Sequence, residues 1–202
     1  MRNDFFLEKI GAILRLWTEC DYDHRPYLPD LPHLEKWQGD ELYRRTYAAF
    51  KFSVAAVLQP RAIIEIGVGF AVAARAFLAA CPEAWYEGYD DGSMDGRSIE
   101  AARRVLGEVS SEARIKRQES SQLLGLPNCD LCHVDGNHDF AHAYHDTSMA
   151  LRSARWVLVD DCHDSQVAAA VMQAVYGWRP GDVCWTCFEN THGGDILIWT
   201  GK

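Results

Sequence analysis

After residue 60, short apolar runs alternate with stretches of helical periodicity, and this pattern predicts strands separated by helices. Seven short apolar runs are the predicted strands: Ala62–Ile66, Trp85–Tyr89, Ala113–Arg117, Cys129–Val134, Trp156–Val159, Asp182–Phe188 and Asp195–Thr200. Stretches with helical spacing fill four of the gaps: Ala71–Ala80, Ser98–Val109, Phe140–Arg152 and Ser165–Tyr176. Because strands that alternate with helices form a parallel sheet covered on both faces, we predict a Rossmann-like, doubly wound α/β fold. We expect a mostly parallel, seven-stranded sheet to which the last two runs add an antiparallel edge strand.

The first 59 residues follow a different pattern, with two helices separated by a proline-rich loop. Residues 1–17 predict an amphipathic helix whose apolar face carries Phe6, Ile10, Ile13, Leu14 and Trp17. Residues 21–32 hold three prolines and predict a loop. A second helix is expected from its cap, Asp40, to about Gln59, where Pro60 stops it. We therefore predict a helical N-terminal extension or lid at 1–59 and a main domain at 60–202, within one compact domain overall.

Composition and charge narrow the class of protein. Of the 202 residues, 48% are apolar and 24% are charged, a globular balance that argues against disorder. The formal net charge of −9 disfavours nucleic acid and anionic membrane surfaces as partners. No uncharged apolar run reaches the ~18 residues of a membrane span. The seven cysteines are scattered and no secretion signal precedes them, so we expect reduced thiols and a cytoplasmic protein.

The turn after the first predicted strand carries the signal for a cofactor. Gly67 and Gly69 stand directly before a helix, where glycine lets a ligand approach the backbone amides of the helix N-terminus. Val72 occupies the place of the third glycine of a dinucleotide fingerprint, which favours a cofactor without a pyrophosphate. Asp90 ends the second strand, where a carboxylate can accept both ribose hydroxyls. The glycine pair alone is also typical of turns that need glycine only for packing.

A polar segment, residues 118–121, follows the third strand at the place where the adenine edge of such a cofactor would lie. With the glycine turn and the acidic strand end, it resembles a class I S-adenosylmethionine-dependent methyltransferase over about residues 60–200. The resemblance implies that residues 60–202 form the S-adenosylmethionine-binding methyltransferase domain. It also implies which residues contact the methionine, ribose and adenine parts of the cofactor or support the turn: Gly67, Gly69, Asp90, Glu119, Ser120 and Glu65.

Three carboxylates follow the fourth and fifth predicted strands. Asp135 ends one run and Asp160 with Asp161 ends the other, and in doubly wound sheets the ligand crevice lies outside these strand ends. Three carboxylates there repel one another, and a divalent cation such as Mg²⁺ is the natural compensation. Since neighbouring strand residues point to opposite faces, Asp160 and Asp161 can share an ion only if the strand ends there. The alternative is that either residue merely caps the following helix.

The segments VDGNH and VDD resemble the metal-dependent O-methyltransferase branch of that family, which includes macrocin-type sugar enzymes and, more distantly, catechol O-methyltransferase. The resemblance implies that Asp135, Asp160 and Asp161 bind Mg²⁺ or another divalent cation. Catechol-type enzymes have asparagine at the last position, so Asp161 agrees with the sugar-modifying group. His138 stands where catechol enzymes carry a lysine base, and a neutral imidazole there can accept the proton of an acceptor hydroxyl. His138 and Asp135 are therefore the predicted catalytic residues, although His138 could also cap or pack the next helix.

Other polar groups allow further interpretations. The histidines could form a transition-metal site instead of a magnesium site, with ligands drawn from His138, His142, His145 and His163. Two Cys-x-x-Cys pairs fall within predicted strands, where residues three apart point to opposite faces, so we expect small core residues rather than zinc ligands at Cys129, Cys132, Cys184 and Cys187. A polar stripe on the second helix either lies over the cofactor cleft or is a solvated face; it comprises Tyr43, Arg44, Arg45, Tyr47 and Lys51.

The function predicted from these residues is an S-adenosylmethionine-dependent, divalent-metal-dependent O-methyltransferase. Its acceptor would be a hydroxyl of a small molecule, either a sugar-bearing or a phenolic natural product. One alternative is an iron-dependent, hydroxylase-like enzyme of the cephalosporin hydroxylase type, whose acidic residues are similarly arranged. Another is a catalytically silent member of the fold that serves as a binding partner. The sequence leaves open a homo-oligomer paired through the amphipathic N-terminal helix.

Overall fold

One seven-stranded sheet organises the chain. The computed structural model describes residues 2–27, 40–93, 98–178 and 183–202, and the structural statements below concern those residues. The strands lie in the order β3-β2-β1-β4-β5-β7-β6, and their bounds are Ala62–Ile66 (β1), Trp85–Asp90 (β2), Arg114–Arg117 (β3), Cys129–Val134 (β4), Ala154–Val159 (β5), Cys184–Phe188 (β6) and Asp195–Trp199 (β7). Strands β1 to β5 are parallel, and β7 is antiparallel to both of its neighbours. This confirms the predicted Rossmann-like fold, with antiparallel β7 lying between β5 and the edge strand β6.

Helices cover both faces of this sheet. Their bounds are Arg2–Glu19 (α1), Glu41–Tyr43 (α2), Ala49–Leu58 (α3), Val72–Ala80 (α4), Ser98–Gly107 (α5), Phe140–Ser153 (α6) and Ser165–Gly177 (α7). A π-helical turn joins α2 to α3, and two 3₁₀ turns complete the set: Arg44–Ala48, Arg25–Tyr27 and Ser120–Gln122. The predicted bounds of the strands and of α4 to α7 agree with these to within two residues, except that residue 182 lies outside the described ranges. No described helix is both long and apolar enough to cross a bilayer.

Alternating side chains of the central strand divide the core into two layers. Ile63 on β1 packs with Phe50 and Phe77 in the layer formed by α1, α3, α4 and α5. Its neighbour Ile64 points to the opposite face and packs with Met149 in the layer formed by α6 and α7. Both isoleucines are fully buried, so β1 is covered on both sides as a central parallel strand must be. The carboxyl ends of the strands are therefore held at one well-defined edge.

The N-terminal helix α1 packs on the first layer, with one departure from the predicted face. Phe6 and Ile13 are buried as expected, but Leu14 is 43% exposed. At about 100° per residue, Leu14 is rotated away from the line that joins Phe6 to Ile13. Phe5 fills the other flank instead, with its ring 5.3 Å from that of Trp199. The prediction for Leu14 was wrong because α1 packs on the rest of the protein with the side of the helix that carries Phe5.

The second helical segment begins and ends as predicted. The Asp40 side chain caps α2 by accepting a hydrogen bond from the Leu42 amide at 2.8 Å. After α3, Gln59 adopts a left-handed conformation with φ of 50°, directly before Pro60. Of the predicted loop, residues 21–27 are described and residues 28–32 lie outside the described ranges. Within it, the Tyr27 ring lies 3.4 Å from the guanidinium carbon of Arg75, so this part of the loop packs on α4.

The turn after β1 is tied sterically to the end of β4. Gly67 has φ of +80°, a left-handed conformation that favours glycine. A Cβ atom added there would lie 1.8 Å from the backbone oxygen of Asp135. The same carboxyl edge also fixes the amide of Asp135, which donates to the Ile66 oxygen at 2.8 Å. Only glycine lets the β1 turn pass this close to the strand end that carries Asp135.

We expect Gly67→Ala to lower the free energy of unfolding by at least about 3 kcal/mol, because it combines left-handed strain with a clash against backbone. Urea denaturation followed by far-ultraviolet circular dichroism measures the loss. The matched control is Gly107→Ala in α5, where an added Cβ would meet nothing within 4 Å. That control should be neutral or stabilising by up to about 1 kcal/mol. Equal stability of the two variants would show that the turn is not constrained by β4.

Candidate active site

A cavity of about 710 Å³ lies at the carboxyl ends of β1, β2, β4 and β5. This volume is in the range of pockets that hold cofactors and other small molecules. One side is lined by the glycine turn and the ends of β2 and β3, the other by the residues that follow β4 and β5. The predicted site residues on its wall are Gly67, Gly69, Asp90, Glu119, Ser120, Asp135, His138, Asp160 and Asp161. A single cavity therefore joins both halves of the predicted site.

Hydrogen bonds join Asp90 to the glycine turn. Its Oδ2 accepts from the amides of Val68 and Gly69 at 2.9 Å and 2.8 Å. Its Oδ1 accepts from the Gly92 amide at 2.7 Å. The sequence suggested that both carboxylate oxygens face a ribose, whereas here they hold the surrounding backbone. Because a carboxylate oxygen has two lone pairs, Oδ1 retains the capacity for one further donor.

The segment after β3 reaches the cavity through Glu119 and Ser120. The Ser120 hydroxyl donates to Oδ2 of Asp146 on α6 at 3.0 Å, and Asp146 is fully buried. Burial raises the pKa of Asp146 to about 6. Sequence reasoning did not find Asp146, because an acidic residue on a helix is ordinarily solvated and the packing of α6 decides which of its faces is buried. Asp146 holds Ser120 in place on the cavity wall.

The carboxylates come together because β5 ends before them. Asp160 follows β5 directly, and Asp161 adopts a left-handed conformation with φ of 56°. The strand therefore ends before Asp160 and Asp161, as the sharing of an ion by both would require, and both line the cavity. Asp135 accepts the Tyr47 hydroxyl at 2.7 Å, and Nε2 of His138 lies 3.0 Å from Oδ2 of Asp161. Each of these carboxylates is thus held in a fixed direction.

Burial and mutual repulsion raise the pKa values of carboxyl groups in the acidic cluster. Burial and then the charge of Asp160 raise the pKa of Asp135 well above its usual range, and the same two causes raise that of Asp161. Potential ligand atoms lie within 4.8 Å of one another in two overlapping sets. The inner set is His133, Asp135 and Asp160, and the outer set is Asp135, His138 and Asp161. A hard divalent cation would relieve this repulsion, so the donor atoms fit such an ion.

A lysine already compensates the inner set. Lys51 on α3 is fully buried, and its ammonium lies 3.3 Å from Oδ2 of Asp160 while also pairing with Asp195 on β7. Burial alone would lower the pKa of Lys51, but Asp160 and Asp195 together raise it above its usual value. Lys51 is therefore a fixed positive charge next to Asp160. An added cation meets less repulsion at the outer set, which lines the cavity.

Glu65 forms a buried pair with His133, a member of the inner set. Oε1 of Glu65 lies 2.9 Å from Nδ1 of His133, and the Tyr86 hydroxyl donates to the other oxygen. Burial raises the pKa of Glu65 to about 8 and lowers that of His133 well below its usual range. Burial therefore disfavours the charged form of both groups, and one hydrogen joins Oε1 of Glu65 to Nδ1 of His133. Glu65 lies under the turn and is not among the residues that line the cavity.

Aromatic rings form the wall that faces the carboxylates. The rings of Tyr43 and Tyr47 stack at 4.8 Å, and His192 packs edge-on against Tyr43 at 4.9 Å. All three line the cavity. Of the predicted polar stripe on this helix, Tyr43 and Tyr47 lie over the cleft, Lys51 is buried against Asp160, and Arg45 remains exposed. The stripe was visible in the sequence, but the side of the helix that meets the sheet was not.

Among the described residues, neither ligand set includes a cysteine or any of His142, His145 and His163. Of these three histidines, His142 lines the cavity. Cys129 and Cys132 are buried as expected for core residues, but Cys187 is exposed. The expectation that Cys187 is a core residue was wrong, because β6 is the edge strand and one of its faces is open to solvent.

The fold is shared with known methyltransferases at low sequence identity. No family model and no curated protein matches the chain. The S-adenosylhomocysteine-bound methyltransferase PaMTH1 from Podospora anserina has a TM-score of 0.62 at 16% identity, over 93% of this chain and 87% of its own. TomG from Streptomyces achromogenes, an O-methyltransferase involved in tomaymycin synthesis and solved with S-adenosylmethionine, has a TM-score of 0.61 at 16% identity, over 87% and 92%.

An O-methyltransferase from Bacillus cereus in complex with S-adenosylhomocysteine has a TM-score of 0.59 at 12% identity, over 96% of this chain and 90% of its own. These likenesses extend over nearly the whole of each protein. The chain therefore has the fold of class I S-adenosylmethionine-dependent methyltransferases, and solved structures similar to it include O-methyltransferases with bound cofactor or product.

We expect Lys51→Met to lower the free energy of unfolding at pH 7 by about 3–5 kcal/mol, because it leaves Asp160 and Asp195 buried without a counter-charge. Equilibrium urea denaturation measures the change. The control is Lys9→Met on α1, since Lys9 is only partly buried and donates to a single carbonyl, that of Val57. Its expected cost is about 1 kcal/mol or less. A Lys51→Met protein as stable as the Lys9→Met control would contradict the compensating role of Lys51.

Proposed function

We propose that this protein is an S-adenosylmethionine-dependent O-methyltransferase that uses a divalent cation and acts on a hydroxyl of a small molecule. The observation that carries the proposal is the single cavity lined both by the Gly67–Gly69 turn with Asp90 and by Asp135, His138 and Asp161. Such a cavity would hold a methyl donor next to an acceptor oxygen, and this positioning supplies much of the catalysis. The shared fold of solved O-methyltransferases supports the same reaction class.

The cofactor half of the proposal assigns one task to each part of the wall. The backbone at Gly67 and Gly69 would receive the methionine part, since both glycines line the cavity where the turn leads into α4. The free capacity of Asp90 Oδ1 would accept a ribose hydroxyl. Glu119 and Ser120 would contact the adenine. Glu65, which does not line the cavity, would support the strand that leads into the turn.

The metal half assigns Asp135, Asp160 and Asp161 as the residues that would hold Mg²⁺ or another divalent cation. When bound, such a cation supplies Lewis-acid stabilisation of a deprotonated acceptor oxygen. The Tyr47 hydroxyl orients Asp135, and Lys51 limits the negative charge of Asp160. All three carboxylates line the cavity, but Asp135 belongs to both ligand sets, Asp160 only to the inner set and Asp161 only to the outer set. Because Lys51 already compensates Asp160, we expect Asp135 and Asp161 to contribute most to the affinity.

His138 is the proposed base. With Nε2 donating its hydrogen to Asp161, the lone pair that accepts a proton is on Nδ1. The acceptor hydroxyl would lose its proton to His138 while its oxygen forms a bond to the methyl carbon. The carbon–sulfur bond of the donor breaks with its electron pair remaining on sulfur, which gives S-adenosylhomocysteine. His138 is about half exposed, so its proton can pass to solvent.

The aromatic wall favours a phenolic acceptor over a sugar-bearing one. Tyr43, Tyr47 and His192 present ring faces and edges opposite the carboxylates, and a planar aromatic acceptor can stack there.

Several further features stay predictions from the sequence. They are the domain division at residue 59, a cytoplasmic location, a homo-oligomer, and the lack of binding to nucleic acid and to membranes.

Binding of S-adenosylhomocysteine tests the cofactor half. We expect isothermal titration calorimetry to show binding to the parent chain and at least about tenfold weaker binding to Asp90→Asn, because the turn loses two charge-assisted hydrogen bonds. The matched control is Asp130→Asn. Asp130 also accepts two backbone amides, those of Arg61 and Ala62, but it lies at the opposite edge of the sheet. Absence of binding to the parent chain would reject the methyltransferase assignment.

Binding of Mn²⁺, followed by electron paramagnetic resonance, tests the metal half. We expect Asp135→Asn to weaken it at least about tenfold, since a charged oxygen ligand is lost. Asp139→Asn is the control, because Asp139 lies in the same loop but outside both ligand sets. Methyl transfer to catechol-type phenols should cease with chelator and return with Mg²⁺. Transfer unaffected by chelator would reject the cation, and oxygen uptake with iron instead of methyl transfer would favour the hydroxylase alternative.

A further inference from the structure

Two cysteines meet beside the acidic cluster without a role in the proposed reaction. Cys162 directly follows Asp161 in the loop after β5, and Cys187 lies on the edge strand β6. Their sulfur atoms are 3.3 Å apart, and both cysteines are free thiols. The residues are 25 positions apart in sequence, so the contact joins two separate parts of the fold.

Backbone hydrogen bonds hold the Cys162 side of this contact. The Cys162 amide donates to the Gly194 oxygen at 3.0 Å, and the His163 amide donates to the Gly193 oxygen at 2.8 Å. Gly193 and Gly194 have φ of 73° and 78°. A Cβ at Gly194 would lie 2.7 Å from the Cys162 sulfur, so the loop and the β6–β7 connection are in close contact. The Cys162 sulfur is thus positioned by main chain as well as by its own rotamer.

The Cys187 side is held by strand pairing. Cys187 lies opposite Ile196 in the antiparallel pair of β6 with β7. Its side chain is exposed, whereas that of Cys162 is half-buried. A reagent from solvent therefore meets Cys187 first and finds Cys162 directly behind it. This is the arrangement of an attacking thiol and a resolving thiol.

We propose that Cys162 and Cys187 form a dithiol site that low-molecular-weight disulfides oxidise to an intramolecular disulfide. In the first step Cys187 loses its proton to solvent, its sulfur bonds to one sulfur of the reagent, and the other half of the reagent leaves as a thiol. In the second step the Cys162 thiol loses its proton to solvent and its sulfur bonds to the Cys187 sulfur, while the bond from Cys187 to the remaining half of the reagent breaks and that half leaves as a thiol. The two protein thiols are oxidised, and one reagent disulfide is reduced to two thiols.

The bond would tie the loop that carries Asp161 to the edge strand of the sheet. Closing the distance between the two sulfur atoms from 3.3 Å to the ~2.05 Å of a disulfide requires a movement of about 1.3 Å. The proposal does not depend on methyl transfer, because it concerns residues outside the cavity wall. It adds a covalent modification site next to the acidic cluster.

The test is incubation of the folded chain with excess oxidised glutathione, followed by thiol titration in denaturant and peptide mapping. The reduced chain has seven thiols. We expect two fewer after oxidation, a mass lower by about 2 Da, and a cross-linked peptide pair containing Cys162 and Cys187. The Cys184→Ser variant, altered on the same strand, should still form this cross-link.

The Cys187→Ser and Cys162→Ser variants separate the two steps. Cys187→Ser should lose no pair of thiols, whereas Cys162→Ser should retain a glutathione adduct on Cys187 that cannot be resolved. A parent chain that keeps all seven thiols, or that links Cys187 to another cysteine, would overturn the proposal. So would a stable glutathione adduct on Cys187 of the parent chain, because it would show that Cys162 does not reach it.

Discussion

The buried ammonium of Lys51 is the interaction on which the arrangement of this edge of the sheet depends. Four carboxylates converge there, three after β4 and β5 and one on β7, and burial alone would drive such groups apart or force them to protonate. Lys51 comes from α3, outside the strands, and pairs with Asp160 and Asp195 at once. The helical segment before the sheet therefore holds together the ends of β5 and β7 and supplies part of the cavity wall.

A second constraint is steric and connects the two halves of the cavity. The Gly67 turn passes the backbone of Asp135 so closely that no side chain fits between them. The part of the cavity suited to a cofactor and the part suited to a cation therefore share one piece of backbone. Their separation is fixed by the register of β1 against β4 and not by flexible side chains. This rigidity is what a reaction that needs two reactants in line requires.

The sequence predicted the sheet and its helices closely, because buried parallel strands are continuous apolar runs and helix ends carry caps such as Asp40. It also predicted which carboxylates follow β4 and β5. It left open whether Lys51 lies over the cleft or in solvent, and it did not identify Asp146, because a charged residue on a helix is ordinarily solvated and only tertiary packing shows which face is covered. The errors at Leu14 and Cys187 have the same origin. Local pattern gives the identity of an element, while burial depends on its neighbours.

The π-helical turn between α2 and α3 lets the aromatic wall and the internal counter-charge change independently. A π turn contains one residue more than the α-helical turn it replaces, and such turns are frequent at functional sites. In this turn the Ala49 amide donates to the oxygen of Arg44, five residues earlier. Because the extra residue is accommodated within the turn, removal of one residue from Arg44–Ala48 would restore an α-helical turn and leave the helix on either side in nearly the same orientation. A single-codon deletion there would therefore alter the wall around Tyr47 while Lys51 keeps its place as the internal counter-charge.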